Sequence, residues 1–212
     1  MELEVKYYDL PDLEAVKDPS DSGSIFLSQP DRNYIVLGRA SNADTSLIKE
    51  RVTYDGVDVL KRPSGGETVL LTPRMAVFAA SMKFAPGMNT RKVFSEINKK
   101  LIIRLSGLGI KNLHSRGISD LSIGVKKIAG SSMYLNRGVL FYHAVLNISE
   151  EVSMISRYIK HPQREPDYRQ GRSHEDFVTS LAKEGYKFDY SDIKKVVSEA
   201  LAEAVKQKGC PD

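Results

Sequence analysis

The chain has almost no cysteine: Cys210, close to the C-terminus, stands alone among 212 residues. A lone thiol excludes a disulfide framework and a cysteine-built metal site, and it fits a reducing, cytoplasmic setting. No apolar run approaches the roughly 20 residues that a bilayer-spanning helix needs, so no membrane partner is expected. The opening "MELEVKYYDL" lacks the apolar core of a signal peptide. Internal repeats and low-complexity tracts are absent too. The net charge of +4 comes from basic residues spread along the chain, without a basic stripe interleaved with aromatics, and this argues against nucleic-acid binding.

What is present is enough for one sizeable core, with 41% hydrophobic and 27% charged residues. Short Val-, Ile- and Leu-rich runs at 25–27, 33–38, 57–62, 67–72 and 75–84, broken by Pro, Gly, Asn and Asp, predict strands. In "TRKVFSEINKKLIIRLSGLGI" the residues Val93, Phe94, Ile97, Leu101, Ile102 and Leu105 share one helical face, with Thr90 as N-cap and an end near Gly107. Residues 120–135 predict a hairpin around Gly124, and 138–148 a further strand. After the polar, proline-containing segment 160–173, Ile193, Val196, Val197, Ala200, Leu201 and Ala204 recur at helical spacing. No amphipathic helix is evident in "PDLEAVKDPSDSGS" near the N-terminus. Strands, a helix, strands again and helices last predict an α+β fold, a mixed and mostly antiparallel β-sheet flanked by α-helices.

Three places carry candidate chemistry. In "LKRPSGGETVLLTP" the Ser64-Gly65-Gly66 turn reads either as a hairpin turn with a surface Arg62, or as a loop whose unobstructed N–H groups cradle a phosphate or carboxylate beside a fixed cation. In "SDLSIGVKKIAGSSMY" Lys127 precedes Ala129, Gly130 and Ser131, small residues that leave room for an anionic ligand next to a mobile point charge. In "LFYHAVLNI" alternation puts His143 on one face with Val139, Phe141 and Val145, either as a hydrogen-bonded core residue or as a site residue.

Taken in order, "VLGRASN" (36–42), "VLKRPSGG" (59–66), "SDLSIGVKKIAGSS" (119–132) and "FYHAVLNI" (141–148) resemble the motifs of the lipoate-protein ligase and lipoyl/octanoyl transferase family. The resemblance runs over roughly 25–185 and takes in "DYRQGRSHEDFVTSL", which is similar to the Arg-rich close of the family's catalytic domain. It implies a biotin/lipoate ligase-like catalytic domain with a bifurcated acyl tunnel, here a single domain over 1–212 with 186–212 as a C-terminal helical segment and no accessory domain. By resemblance Lys127 is the catalytic residue, contacting the carbonyl or phosphate oxygen of an acyl-adenylate. Arg62, Ser64, Gly65, Gly66, Gly130, Ser131 and His143 are implied on the substrate side, Arg39 and Asp120 on the nucleotide side, with Asp120 and His143 in orientation roles. No side-chain metal ligands are identified. The implied reaction takes lipoate or octanoate with ATP and Mg2+ to an acyl-adenylate, then to a lysine of a lipoyl carrier domain, in the E2 component of a 2-oxoacid dehydrogenase or the glycine cleavage H protein. A separate accessory subunit is a possible partner.

Two departures from the family pattern stand out. Glu67 replaces the third glycine of the loop, and Leu71-Thr72 replaces a His-Asp pair. An ATP-independent transferase and a non-catalytic acyl- or nucleotide-binding protein are the alternative readings. Thioester transfer is disfavoured, because Cys210 is not where the family's octanoyltransferases carry their nucleophile. The loop characteristic of biotin ligases is absent.

Overall fold

The computed structural model describes residues 3–17, 23–84 and 88–206, so Cys210 lies outside the described residues. In chain order the elements are β1 (Lys6–Tyr7), a 3-10 turn (Pro11–Leu13) running into α1 (Glu14–Lys17), β2 (Ser24–Ser28), β3 (Tyr34–Leu37), α2 (Ala43–Ser46), α3 (Lys49–Tyr54), β4 (Asp58–Lys61), β5 (Val69–Leu71) and β6 (Met75–Lys83). There follow α4 (Thr90–Gly107), β7 (Leu113–Arg116), β8 (Asp120–Ile123), β9 (Lys126–Asn136), β10 (Val139–Asn147), α5 (Val152–Tyr158), a second 3-10 turn (Asp167–Arg169), α6 (His174–Phe177) and α7 (Tyr190–Lys206).

They build two sheets. The larger has the order β2-β6-β10-β9-β8-β7 and is antiparallel throughout, with Gly124 at positive φ in the β8–β9 hairpin. The smaller has the order β1-β4-β3-β5, and here β4 runs parallel to both β1 and β3. The expected mixed, mostly antiparallel α+β fold is therefore what forms.

The near-continuous apolar run of β6 reflects burial on both faces. Its even residues Ala76, Phe78, Ala80 and Met82 join a core with Val93, Ile97, Leu101 and Leu105 of α4 and Ile193, Val197, Ala200 and Leu201 of α7. Its odd residue Val77 joins Val36, Leu60 and Leu71 of the smaller sheet instead. Strand β10 alternates the same way: Leu140, Tyr142, Ala144 and Leu146 face the helices, while Phe141 and Val145 face the other side. His143 shares that second parity, so the period of two aims it into the space between the sheets. Burying a Leu or Ile side chain stabilises by about 1.5–3 kcal/mol each, so the two-helix layer holds the larger sheet firmly.

Helix α4 buries the expected face but starts differently. Asn89, not Thr90, is the N-cap, its side chain accepting from the N–H groups of Arg91 and Lys92. A second correction concerns the N-terminal segment, where helix does form. The 3-10 turn and α1 occupy residues 11–17, with Asp12 fully buried and Ala15 3% exposed.

Candidate functional site

The Ser64-Gly65-Gly66 segment is not a hairpin turn, since β4 and β5 are not neighbours: β3 lies between them. Residues 62–67 instead cross over the end of β3. Arg39 N–H donates to Ser64 O at 2.9 Å, and Arg62 N–H to Leu37 O at 3.0 Å. The crossing is close enough that a Cβ on Gly38 would meet Gly66 O at 1.8 Å. Gly66 itself has φ +85°, a region costly for residues with a Cβ, whereas a Cβ on Gly65 would enter open space.

Arg62 scaffolds this loop from within. The residue is 5% exposed, and its guanidinium donates to Val36 O (3.1 Å), Gly65 O (2.7 Å), Glu67 O (2.8 Å) and Ser64 Oγ (3.0 Å). Burial pushes its pKa down to about 10. The bonds hold the carbonyls of the crossover inward and leave the loop preformed.

Ser64 continues the network. Its hydroxyl, accepting from Arg62, lies 2.6 Å from His143 Nε2, and His143 Nδ1 lies 3.2 Å from Asp12 Oδ2. Tyr8 O–H donates to Asp12 Oδ1 at 2.7 Å. One proton assignment satisfies every member: Ser64 donates to a neutral His143, which donates from Nδ1 to Asp12. Burial first, then the Asp12 charge, raises the Tyr8 pKa, so Tyr8 remains a donor. A hydroxyl, imidazole and carboxylate in series is an arrangement known for activating nucleophiles. Here Ser64 is 1% exposed beneath Arg62, and the series is a buried strut between the first 3-10 turn, β10 and the crossover loop.

Lys127 sits opposite. Its ammonium is 2.8 Å from Asp120 Oδ1 and lies directly over Gly130, where a Cβ would meet Lys127 Nζ at 2.7 Å. The small residue thus makes room for the lysine itself. Ser131 Oγ donates to Ser119 O (2.8 Å) and Ser132 Oγ to Gly65 O (2.9 Å), the latter tying β9 to the crossover loop.

Between these groups lies a cavity of about 530 Å³, within the range of small-molecule sites. Val36, Leu71, Met75, Val77 and Val145 make it apolar where the sheets face each other. Arg62, Gly66, Asp120, Lys127, Gly130, Ser131 and His143 also line it. Ser64 and Gly65 stand behind this lining. Arg39 is exposed and contributes its backbone N–H to the loop, its side chain being outside the lining. Glu67, where the family pattern has glycine, does line the cavity, and its backbone carbonyl accepts from Arg62. Asp12, Tyr8 and Tyr168 carried no sequence signal: Asp12 and Tyr168 act through His143 and Asp120, far along the chain, and Tyr8 acts through Asp12. Among the described residues no group of three or more His, Cys, Asp or Glu side chains is placed to hold a metal ion, and no helix is long and apolar enough to cross a membrane.

Residues 13–202 match the family model for the lipoyl protein ligase A/B catalytic domain. A lipoate-protein ligase A from Blochmanniella floridana is 28% identical over 149 residues, 68% of this chain and 42% of the relative. The chain thus spans about two fifths of the length of the curated relatives it matches. Among solved structures, a bipartite lipoate protein ligase described with its E2 lipoyl domain from Thermoplasma acidophilum superposes with a TM-score of 0.77 at 17% identity, covering 97% of this chain and 84% of the other. A lipoate-protein ligase A bound with ATP gives 0.76 at 15% identity, covering 97% and 86%.

Proposed function

Because the chain belongs to the lipoyl protein ligase A/B catalytic-domain family, we propose that it activates lipoate or octanoate with ATP and passes the acyl group to a lysine of a lipoyl carrier domain. The observation that carries this reading is one cavity in which an apolar wall, a preformed glycine loop and a lysine meet. The acyl chain lies against Val36, Leu71, Val77 and Val145. Its carboxylate reaches the charged region near Lys127, where one oxygen attacks the α-phosphorus of ATP and pyrophosphate leaves.

Negative charge gathers on the phosphoryl oxygens in that step, and on the acyl carbonyl oxygen when the carrier amine attacks and AMP departs. Lys127 then exchanges Asp120 for the developing charge, a short movement for a flexible ammonium. The backbone N–H groups of the crossover loop are fixed beforehand by Arg62, so little reorganisation accompanies reaction. Mg2+ would be carried by the nucleotide's phosphates, with water and at most one or two protein carboxylates completing its shell. Gly130 and Ser131 keep the β9 wall thin beside Lys127, and Asp120 and His143 orient. The relative described as bipartite supports a further proposal, that a separately supplied small domain improves adenylation by this chain.

The test is release of pyrophosphate on mixing the protein with ATP and either acid. Release with lipoate or octanoate, dependent on the acid, is the expected result. Binding of both substrates without release, with and without a small domain from a bipartite ligase, would assign a non-catalytic role.

A further inference from the structure

Residues 160–178, a polar segment with no strand of its own, wall the cavity beside Lys127 and are bound tightly to its strand. Thr179 N–H donates to Lys127 O at 2.9 Å, and Val178 forms a parallel bridge with Lys127. Arg172 clasps the segment by donating to Tyr168 O (2.7 Å), Arg169 O (3.0 Å) and Val125 O (3.3 Å). Arg169 and Arg172 both lie over the Phe177 ring, at 4.8 and 5.2 Å, and the Tyr168 ring packs 5.0 Å from Phe177.

From this scaffold Tyr168 O–H donates to Asp120 Oδ2 at 2.8 Å, while Asp120 Oδ1 holds the Lys127 ammonium at 2.8 Å. We propose that Tyr168 is a positioning residue for Lys127, acting through Asp120. The Asp120 carboxylate is 8% exposed, so an oxygen left without a donor has little water to turn to. With Oδ2 engaged, the carboxylate plane is fixed and part of its charge is already neutralised by a hydrogen bond. Oδ1 alone then parks the ammonium over Gly130, close to the cavity and weakly enough to let it go. Without the hydroxyl, the carboxylate turns both oxygens to the ammonium and holds it harder. Burial, then the Asp120 charge, raises the Tyr168 pKa, so Tyr168 stays a donor through the neutral range.

The consequence for turnover rests on the ligase reading; the restraint on the lysine does not, and the two are measured separately. Acetylation of the protein with acetic anhydride, read lysine by lysine by mass spectrometry, reports how freely Lys127 leaves Asp120. Tyr168→Phe is expected to slow modification of Lys127 about fivefold, with the other lysines unchanged. In the Asp120→Asn background Tyr168→Phe is expected to change nothing, since the path from the hydroxyl to the lysine is cut. In pyrophosphate release Tyr168→Phe should lower kcat about fivefold and leave the KM values for ATP and acid within about twofold. An unchanged Lys127 rate, equal slowing of all lysines, or equal effects of Tyr168→Phe with and without Asp120→Asn would each overturn the proposal. Absence of pyrophosphate release by the unaltered protein would instead count against the ligase reading, and the acetylation series would still decide the role of Tyr168.

Discussion

Lys127 and Asp12 do different work with similar chemistry, and removing each separates reaction from stability. Lys127 bears its charge towards the cavity, with a side chain 29% exposed. Lys127→Ala removes the cation from the step in which charge develops, and we expect adenylation to fall by about 100-fold or more. The same change leaves the Asp120 carboxylate with Tyr168 alone, costing about 1–3 kcal/mol, so the variant folds with a lowered midpoint. Near-normal acyl transfer by folded Lys127→Ala would remove the lysine from the mechanism. Asp12 instead accepts two buried hydrogen bonds at 0% exposure. Asp12→Ala strands Tyr8 O–H and His143 Nδ1–H, and we expect a loss of about 2–4 kcal/mol in denaturant unfolding. A midpoint within experimental error of the unaltered protein would show that the strut carries no load.

At the scale of elements, the crossover between β4 and β5 is where a methyl group tests the design. Gly66→Ala forces a Cβ into positive φ and to 3.0 Å from Arg62 Nη2, and Gly38→Ala sets one against Gly66 O; both should displace the loop and weaken binding of an acyl-adenylate analogue about tenfold or more. Gly65→Ala points into open space and should bind within about threefold of the unaltered protein. Calorimetric titration of the three variants checks the order, and equal affinities would mean that the loop does not touch the ligand.

The same crossover marks how far the sequence could be read. Local periodicity revealed α4, α7, the β8–β9 hairpin and the inward parity of His143, because each is decided within about ten residues. The insertion of β3 between β4 and β5 is a long-range pairing with no local signature, so a turn and a crossover looked alike around Ser64. The segment over 11–17 forms too short a helix to show a period, which hid Asp12. The room beside Gly130 was legible, but not that the lysine's own stem fills it.

The whole molecule places its site between two sheets that share a small apolar cluster, Val77 and Val145 of the larger packing with Val36, Leu60 and Leu71 of the smaller. Strands β6 and β10 carry the helix-backed core on one face and the cavity on the other, while the smaller sheet with the 62–67 crossover and the segment 160–178 close over them. A ligand bound there touches both sheets, the crossover loop and the segment 160–178 at once, so it should stabilise them as a unit. For a ligand at 100 times its Kd, mass action contributes about 2.7 kcal/mol, and a domain of this size gains about 2–4 °C per kcal/mol. A non-hydrolysable acyl-adenylate analogue is therefore expected to raise the unfolding midpoint by about 5–10 °C. Hydrogen exchange should slow around 62–67, 127–132 and 168–178, with the amides of α4 and α7 unchanged outside global unfolding. A shift without protection at 62–67 would place the analogue elsewhere, and no shift at saturation would remove the cavity as its binding site.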